Sequence, residues 1–149
     1  MFHRTGRTAA ITTKGVIAML AIASTTAMAG DLVVNVETLD GQAGQLVVNL
    51  FASADTFRKT PKAQVMVPAS KQNAQGQLSA VFSNLPAGEY ALLAFHDKDG
   101  DGKLARNLVG IPTEPYAFSG QPAKFGPPDY KDAAFALPAG GATINIKLK

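Results

Sequence analysis

Apolar and polar residues alternate along most of the chain beyond residue 30. Leu32, Val34 and Val36 fall on one side, with Asn35 and Glu37 opposite. Leu46, Val48 and Leu50 repeat the pattern after an Asp40-Gly41 turn signal. Val65 to Val67 is a shorter run, closed by Pro68, and Leu78, Ala80 and Phe82 form the next. The turn Leu85-Pro86-Ala87-Gly88 leads into Glu89 to Phe95, which is apolar without interruption from Tyr90. Ala133 to Leu137 precedes a second such turn, Pro138-Ala139-Gly140-Gly141. Ile144, Ile146 and Leu148 then alternate with Asn145, Lys147 and Lys149. A period of two is the signature of strands with one buried face. No window carries a sustained helical period, although one helical turn is expected around Phe57, between Ser53 and Lys62. About seven short strands separated by turn signals predict an all-β fold, a single antiparallel β-sandwich of the prealbumin-like or immunoglobulin-like kind.

One stretch breaks this rhythm. From Lys98 to about Lys131 no strand pattern is visible, yet Ile111, Tyr116, Phe118, Phe125 and Tyr130 punctuate it. Pro112, Pro115, Pro122, Pro127 and Pro128 stiffen it. Structureless loops beyond about 12–15 residues are uncommon in compact domains. The aromatics and prolines predict one long ordered loop that packs over an end of the sandwich, with proline lowering the entropy lost on ordering it.

The start of the chain changes the charge picture. His3, Arg4, Arg7 and Lys14 make a basic region, Gly15 to Ala23 a short apolar run, and Ala27-Met28-Ala29 a small-x-small cleavage site. These are the parts of a secretory signal peptide, predicted to span residues 1–29 and to leave a domain of residues 30–149. The apolar run is shorter than the roughly 20 residues that a membrane span takes. The chain has 14 basic and 11 acidic residues. Arg4, Arg7 and Lys14 lie in the leader, so the remainder carries eleven of each. A balanced domain gives no reason to expect nucleic acid or an anionic membrane as partner. Cysteine is absent, which excludes disulfides, thiol catalysis, thiolate metal ligation and a lipidated Cys. No later segment is apolar enough to span a membrane, so the expected location is the periplasm or outside the cell.

The candidate chemistry sits directly after the longest apolar run. Asp97, Asp99 and Asp101 occupy alternate positions and Gly102 follows them. In an EF-hand loop, oxygen ligands stand at positions 1, 3 and 5, Gly at 6, a main-chain carbonyl at 7 and a bidentate Glu at 12. Lys103 supplies the carbonyl position, but Leu108 stands twelfth and a strand precedes the loop, so this is not an EF-hand. Asn107 or Glu114 is the candidate for a further oxygen. The hard oxygen donors favour Ca2+. The plainer alternative is a solvated Asp/Gly turn balanced by Lys98, Lys103 and Arg106. His96 is the only histidine after the leader; one histidine without cysteine makes a poor zinc site, and a loop-bracing bond to a backbone carbonyl is the expected role. Glu114, Tyr116 and Tyr130 are candidates, with His96, for a ligand surface of the kind that takes a sugar or peptide. Their alternative is packing of the long loop.

His96-Asp97 through Gly102-Lys103-Leu104, then Asn107, Gly110-Ile111-Pro112, Glu114-Pro115-Tyr116, Phe118-Ser119 and Phe125-Gly126-Pro127-Pro128 through Asp132-Ala133-Ala134-Phe135 carry a family likeness. On these residues the chain resembles the bacterial domain of unknown function 2141. Leu85-Pro86-Ala87-Gly88-Glu89-Tyr90 is similar to a recurrent turn and strand of prealbumin-like modules. The resemblance implies an exported sandwich and no settled activity. Ala105 stands where such proteins often have an acidic residue, and Ala117 where they often have Gly. The expected function is that of a non-enzymatic exported module, binding or structural, its acidic loop held by calcium, with an envelope or extracellular protein, a peptide or a glycan as partner; a structural subunit of an envelope assembly, pairing a partner through an exposed first or last strand, is a further reading. The alternative is a hydrolase using His96 with Asp97 and Glu114, as in prealbumin-like hydrolases. Their C-terminal Tyr-Arg-Gly-Ser signature is replaced here by Asn145-Ile146-Lys147-Leu148-Lys149.

Overall fold

The computed structural model describes residues 28–149 except Thr38, Pro122 and Lys124. Apart from Met28 and Ala29, the predicted leader lies outside the described residues. Among the described residues eight strands follow one another: β1 (Ala29–Glu37), β2 (Gln45–Phe51), β3 (Ala63–Pro68), β4 (Leu78–Pro86), β5 (Gly88–Asp97), β6 (Tyr116–Phe118), β7 (Phe135–Leu137) and β8 (Ala142–Lys147). They form two sheets. The smaller has the order β4-β1-β8; the larger runs β3-β2-β5-β6, with β7 pairing the start of β5. The all-β sandwich expected from the alternation is the fold.

The sheets meet through the residues that alternation assigns to one side. Leu32, Val34, Val36, Leu78, Ala80, Phe82 and Ile146 from the smaller sheet bury against Leu46, Val48, Leu50, Leu92 and Ala94 from the larger. The Tyr90 hydroxyl donates to the Pro86 carbonyl at 2.9 Å and pins the β4–β5 turn.

Three features depart from the sequence expectation. β1 and β8 pair in parallel, Leu32 opposite Ala142 and Glu37 opposite Lys147. No short turn joins these strands, so nothing forces them to run antiparallel. β6 is an additional strand inside the long loop; three residues are too few to display a period. Ala133 belongs to a single helical turn, α1 (Tyr130–Ala133), and the strand begins two residues later, at Phe135. The segment around Phe57, by contrast, keeps the expected helical turn, with two helix-type bonds, Phe57 to Ser53 and Thr60 to Thr56, and no regular helix. Arg58 at φ 60° takes the left-handed conformation that interrupts a helix.

The long segment covers the outer face of the larger sheet, where an end of the sandwich was expected. Val47, Phe51, Ala91, Leu93 and Phe95 point away from the inner core and form a second one with Phe57 and Ala133. Leu104, Tyr116, Phe118 and Tyr130 pack against it. β5 is therefore buried at every position from Tyr90 to Asp97, which is why its sequence is continuously apolar where other strands alternate.

Candidate functional site

β5 delivers His96 and Asp97, both fully buried, to one end of the sandwich. The His96 Nδ1 accepts the Asp40 N–H at 3.2 Å, so its Nε2–H donates to the Ala43 carbonyl at 2.8 Å. Both ring nitrogens thus hold the turn before β2. Gly44 closes that turn in the left-handed region, and any side chain there would strike the Asp97 carbonyl. Only glycine lets the two backbones lie this close.

Asp97 organises the acidic loop. Its Oδ1 accepts the Gly100 N–H at 2.8 Å, and its Oδ2 accepts the Gly102 N–H at 2.8 Å and the Gln45 side-chain amide at 2.7 Å. Burial opposes its charge, but the bonds from Gln45, Gly102 and Gly100 outweigh burial and hold the carboxyl below its usual range. Asp99 goes the other way. The Asp101 N–H favours its charged form, but desolvation, the adjoining Asp97 carboxyl and the charges of Asp101 and Glu114 prevail and raise it. The Asp99 and Asp101 side chains also accept the main-chain N–H groups of Asp101 and Lys103.

Glu114 returns to this loop from far along the chain. It is buried; Oε1 accepts the Lys98 N–H at 2.7 Å and Oε2 the Ala105 N–H at 2.9 Å. The His96 N–H donates to the Pro115 carbonyl at 2.9 Å, which fixes Glu114 beside the end of β5. Asp97, Asp99 and Glu114 each present an oxygen, all within 4.8 Å of one another. Two of the neighbouring cations are turned elsewhere. The Lys98 ammonium pairs with Asp40 at 2.6 Å, and the Arg106 guanidinium bonds the Gly110 carbonyl at 2.9 Å. Three converging hard oxygens, one of them on a carboxyl raised by its neighbours, are a donor set suited to a divalent cation.

The remaining candidates fall into three places. Asp101 stands outside the trio, and Lys103 contributes an N–H to it. Asn107 uses its side-chain oxygen on its own turn, accepting the N–H groups of Val109 and Ile111. Tyr130 stacks edge-on to Phe57 and bonds the Glu89 carbonyl through its hydroxyl; burial first, then the charge of Glu89, raises its pKa. Tyr116 packs against Phe118. Both tyrosines join the outer core, and no hydrogen bond links the His96 and Glu114 side chains among the described residues. Gln45 is a contributor that the sequence does not announce. It begins β2 and reaches Asp97 because the two are register partners across the sheet.

No helix among the described residues is long and apolar enough to cross a membrane. No curated protein and no solved structure shows a significant match to the chain. One family model matches residues 34–145, from β1 through most of β8 and including every carboxylate of the site. The chain therefore belongs to that family, DUF2141, described as uncharacterized proteins conserved in bacteria.

Proposed function

We propose that this protein is an exported, non-enzymatic β-sandwich module whose acidic loop binds calcium and thereby fixes the segment covering the larger sheet. The carrying observation is the return of Glu114 to Asp97 and Asp99, within 4.8 Å, at the point where that segment leaves β5. An ion held there ties the two ends of the stretch from Asp97 to Glu114 together. The segment then continues directly into β6, so order at the metal is passed to the outer core. Export is supported by the leader pattern of residues 1–29 and by a cysteine-free composition that works equally well in an oxidising compartment.

The hydrolase alternative has less support. Both His96 nitrogens are occupied by the backbone of the turn before β2, and the ring is buried. A general base needs a nitrogen within reach of the proton it takes.

The test is thermal unfolding of the leaderless protein in calcium and in chelator. A ligand that binds only the folded form at a hundredfold excess over Kd stabilises by about 2.7 kcal/mol, roughly 10 °C for a domain of this size. Asp99→Asn should abolish the calcium-dependent rise while leaving the fold intact, because its side chain is exposed. A melting temperature that calcium and chelator leave unmoved removes the metal from the proposal.

A further inference from the structure

The sandwich closes differently on its two open sides. On one side β3 packs directly on β4. On the other, β6 meets the residues just after β8 at one point, where Tyr116 and Lys149 each donate an N–H to the other's carbonyl at 3.2 Å. Beyond that bridge a cleft of about 400 Å³ opens between the strands.

The backbone pattern shows what faces this cleft. Leu148 donates its N–H to Glu37, so Ile144, Ile146 and Leu148 turn their main-chain groups toward β1. The intervening residues, Asn145 and Lys147, turn theirs toward the cleft. On β6, the Pro115 carbonyl and the Ser119 N–H both bond β5, so Tyr116 and Phe118 face outward. Tyr116 is satisfied by Lys149; Phe118, Asn145 and Lys147 have no main-chain partner among the described residues. Two rows of unpaired N–H and C=O groups thus flank one opening. On its inner side Ala117 and Ile144 pack on the inner core yet stay only partly buried. Lys147 and Lys149 line it as well, and no acidic side chain does so among the described residues.

We infer that this cleft receives an extended polypeptide of alternating aliphatic and acidic residues, added as a strand along β8. Only a polypeptide offers a ladder of donors and acceptors at strand spacing. Its aliphatic side chains would complete the seal over Ile144 and Ala117, and its acidic ones would meet the two lysines. The chain's own leader is the wrong occupant, because Arg4, Arg7 and Lys14 would meet like charge. The inference goes beyond the proposed function and does not use its metal site.

The experiment is a fluorescence anisotropy titration of the leaderless protein with a labelled octapeptide of alternating Val and Glu. It is run both in calcium and in chelator, so that loss of the metal reading leaves this result standing. Saturable binding is expected in both. It should weaken at least tenfold when alternate peptide nitrogens are methylated, at least tenfold in Asn145→Pro, and severalfold in Lys147→Glu. The Asn145 N–H makes no bond to β1, and an edge position of this kind tolerates proline. Should Asn145→Pro fail to fold, the methylated peptide and Lys147→Glu still decide. Absence of saturable binding, or equal binding of the methylated peptide, overturns the inference. So does self-association of the protein alone that Asn145→Pro or Lys147→Glu abolishes, since the occupant is then a second copy.

Discussion

The two faces of β5 are covered by different means. Its inner face, Tyr90, Leu92 and Ala94, meets the other sheet, in a core drawn mostly from strands with their own alternation. Its outer face, Ala91, Leu93 and Phe95, is covered by Phe57 and by pieces of the long segment. The inner core is assembled by sheet packing, which a period of two encodes locally. The outer core is assembled by irregular chain that must be pinned residue by residue. Phe57 is its hub, with ring centroids 5.3 Å from Phe51, 5.7 Å from Phe118 and 5.6 Å from Tyr130. One strand thus belongs to two cores built by unlike means, and the candidate site lies at the end of β5, where the irregular chain leaves the strand.

Deleting one large side chain from each core tells the two apart. Phe57→Ala should cost about 3–5 kcal/mol and Leu92→Ala about 2–5 kcal/mol. The magnitudes overlap, but the pattern should not. In Phe57→Ala, amide exchange should rise through residues 116–134 while β1 and β2 keep their protection, as for a local opening unit. In Leu92→Ala, protection should fall throughout. Uniform loss in both would mean that the two cores are one.

A smaller effect is expected at the seam. Ser119 is buried; its hydroxyl accepts the Leu92 N–H at 2.7 Å and donates to the Ala133 carbonyl at 2.6 Å. One side chain therefore ties β5 to the end of α1. Ser119→Ala strands both main-chain groups, at about 1–3 kcal/mol. Gly120, next in the chain, is left-handed, and a side chain there would strike the Asp132 carbonyl, so the approach of these two stretches has little slack. Denaturant unfolding of Ser119→Ala with an unchanged m-value would support a seam that loosens without dissolving; no loss of stability would remove Ser119 from the account.

The smallest effect is a pH dependence in the calcium-free protein. The Asp99 pKa is raised above its ordinary 3.8 in the folded state. Its ionisation therefore disfavours folding, and stability should rise slightly as pH falls from neutral toward that raised value. Asp97 is depressed below 3.8. Its contribution is present above the unfolded value and is lost as pH falls through the lower folded one. The melting temperature should pass through a shallow maximum on the acid side. Asp99→Asn should erase the rise and keep the fall. A monotonic decline from neutral pH in the unmodified protein would contradict the raised Asp99 carboxyl.

The local pattern alone determined the sandwich, its inner-core residues, the turn before β5 and the presence of an acidic loop at the end of β5. Each depends on the next few residues, where side-chain alternation and turn chemistry act. The parallel pairing of β1 with β8, the three-residue β6 and the outer core were decided by tertiary structure. They join segments tens of residues apart, and neither periodicity nor propensity spans such distances. The site shows the same division. Asp97 and Asp99 are visible as neighbours in sequence, whereas Glu114 joins them because the Pro115 carbonyl pairs with β5, and Gln45 because β2 lies in register beside it. The histidine's role followed the same rule. Strand alternation put His96 on the inner face, but only the packed turn before β2 supplied the two backbone groups that hold its ring.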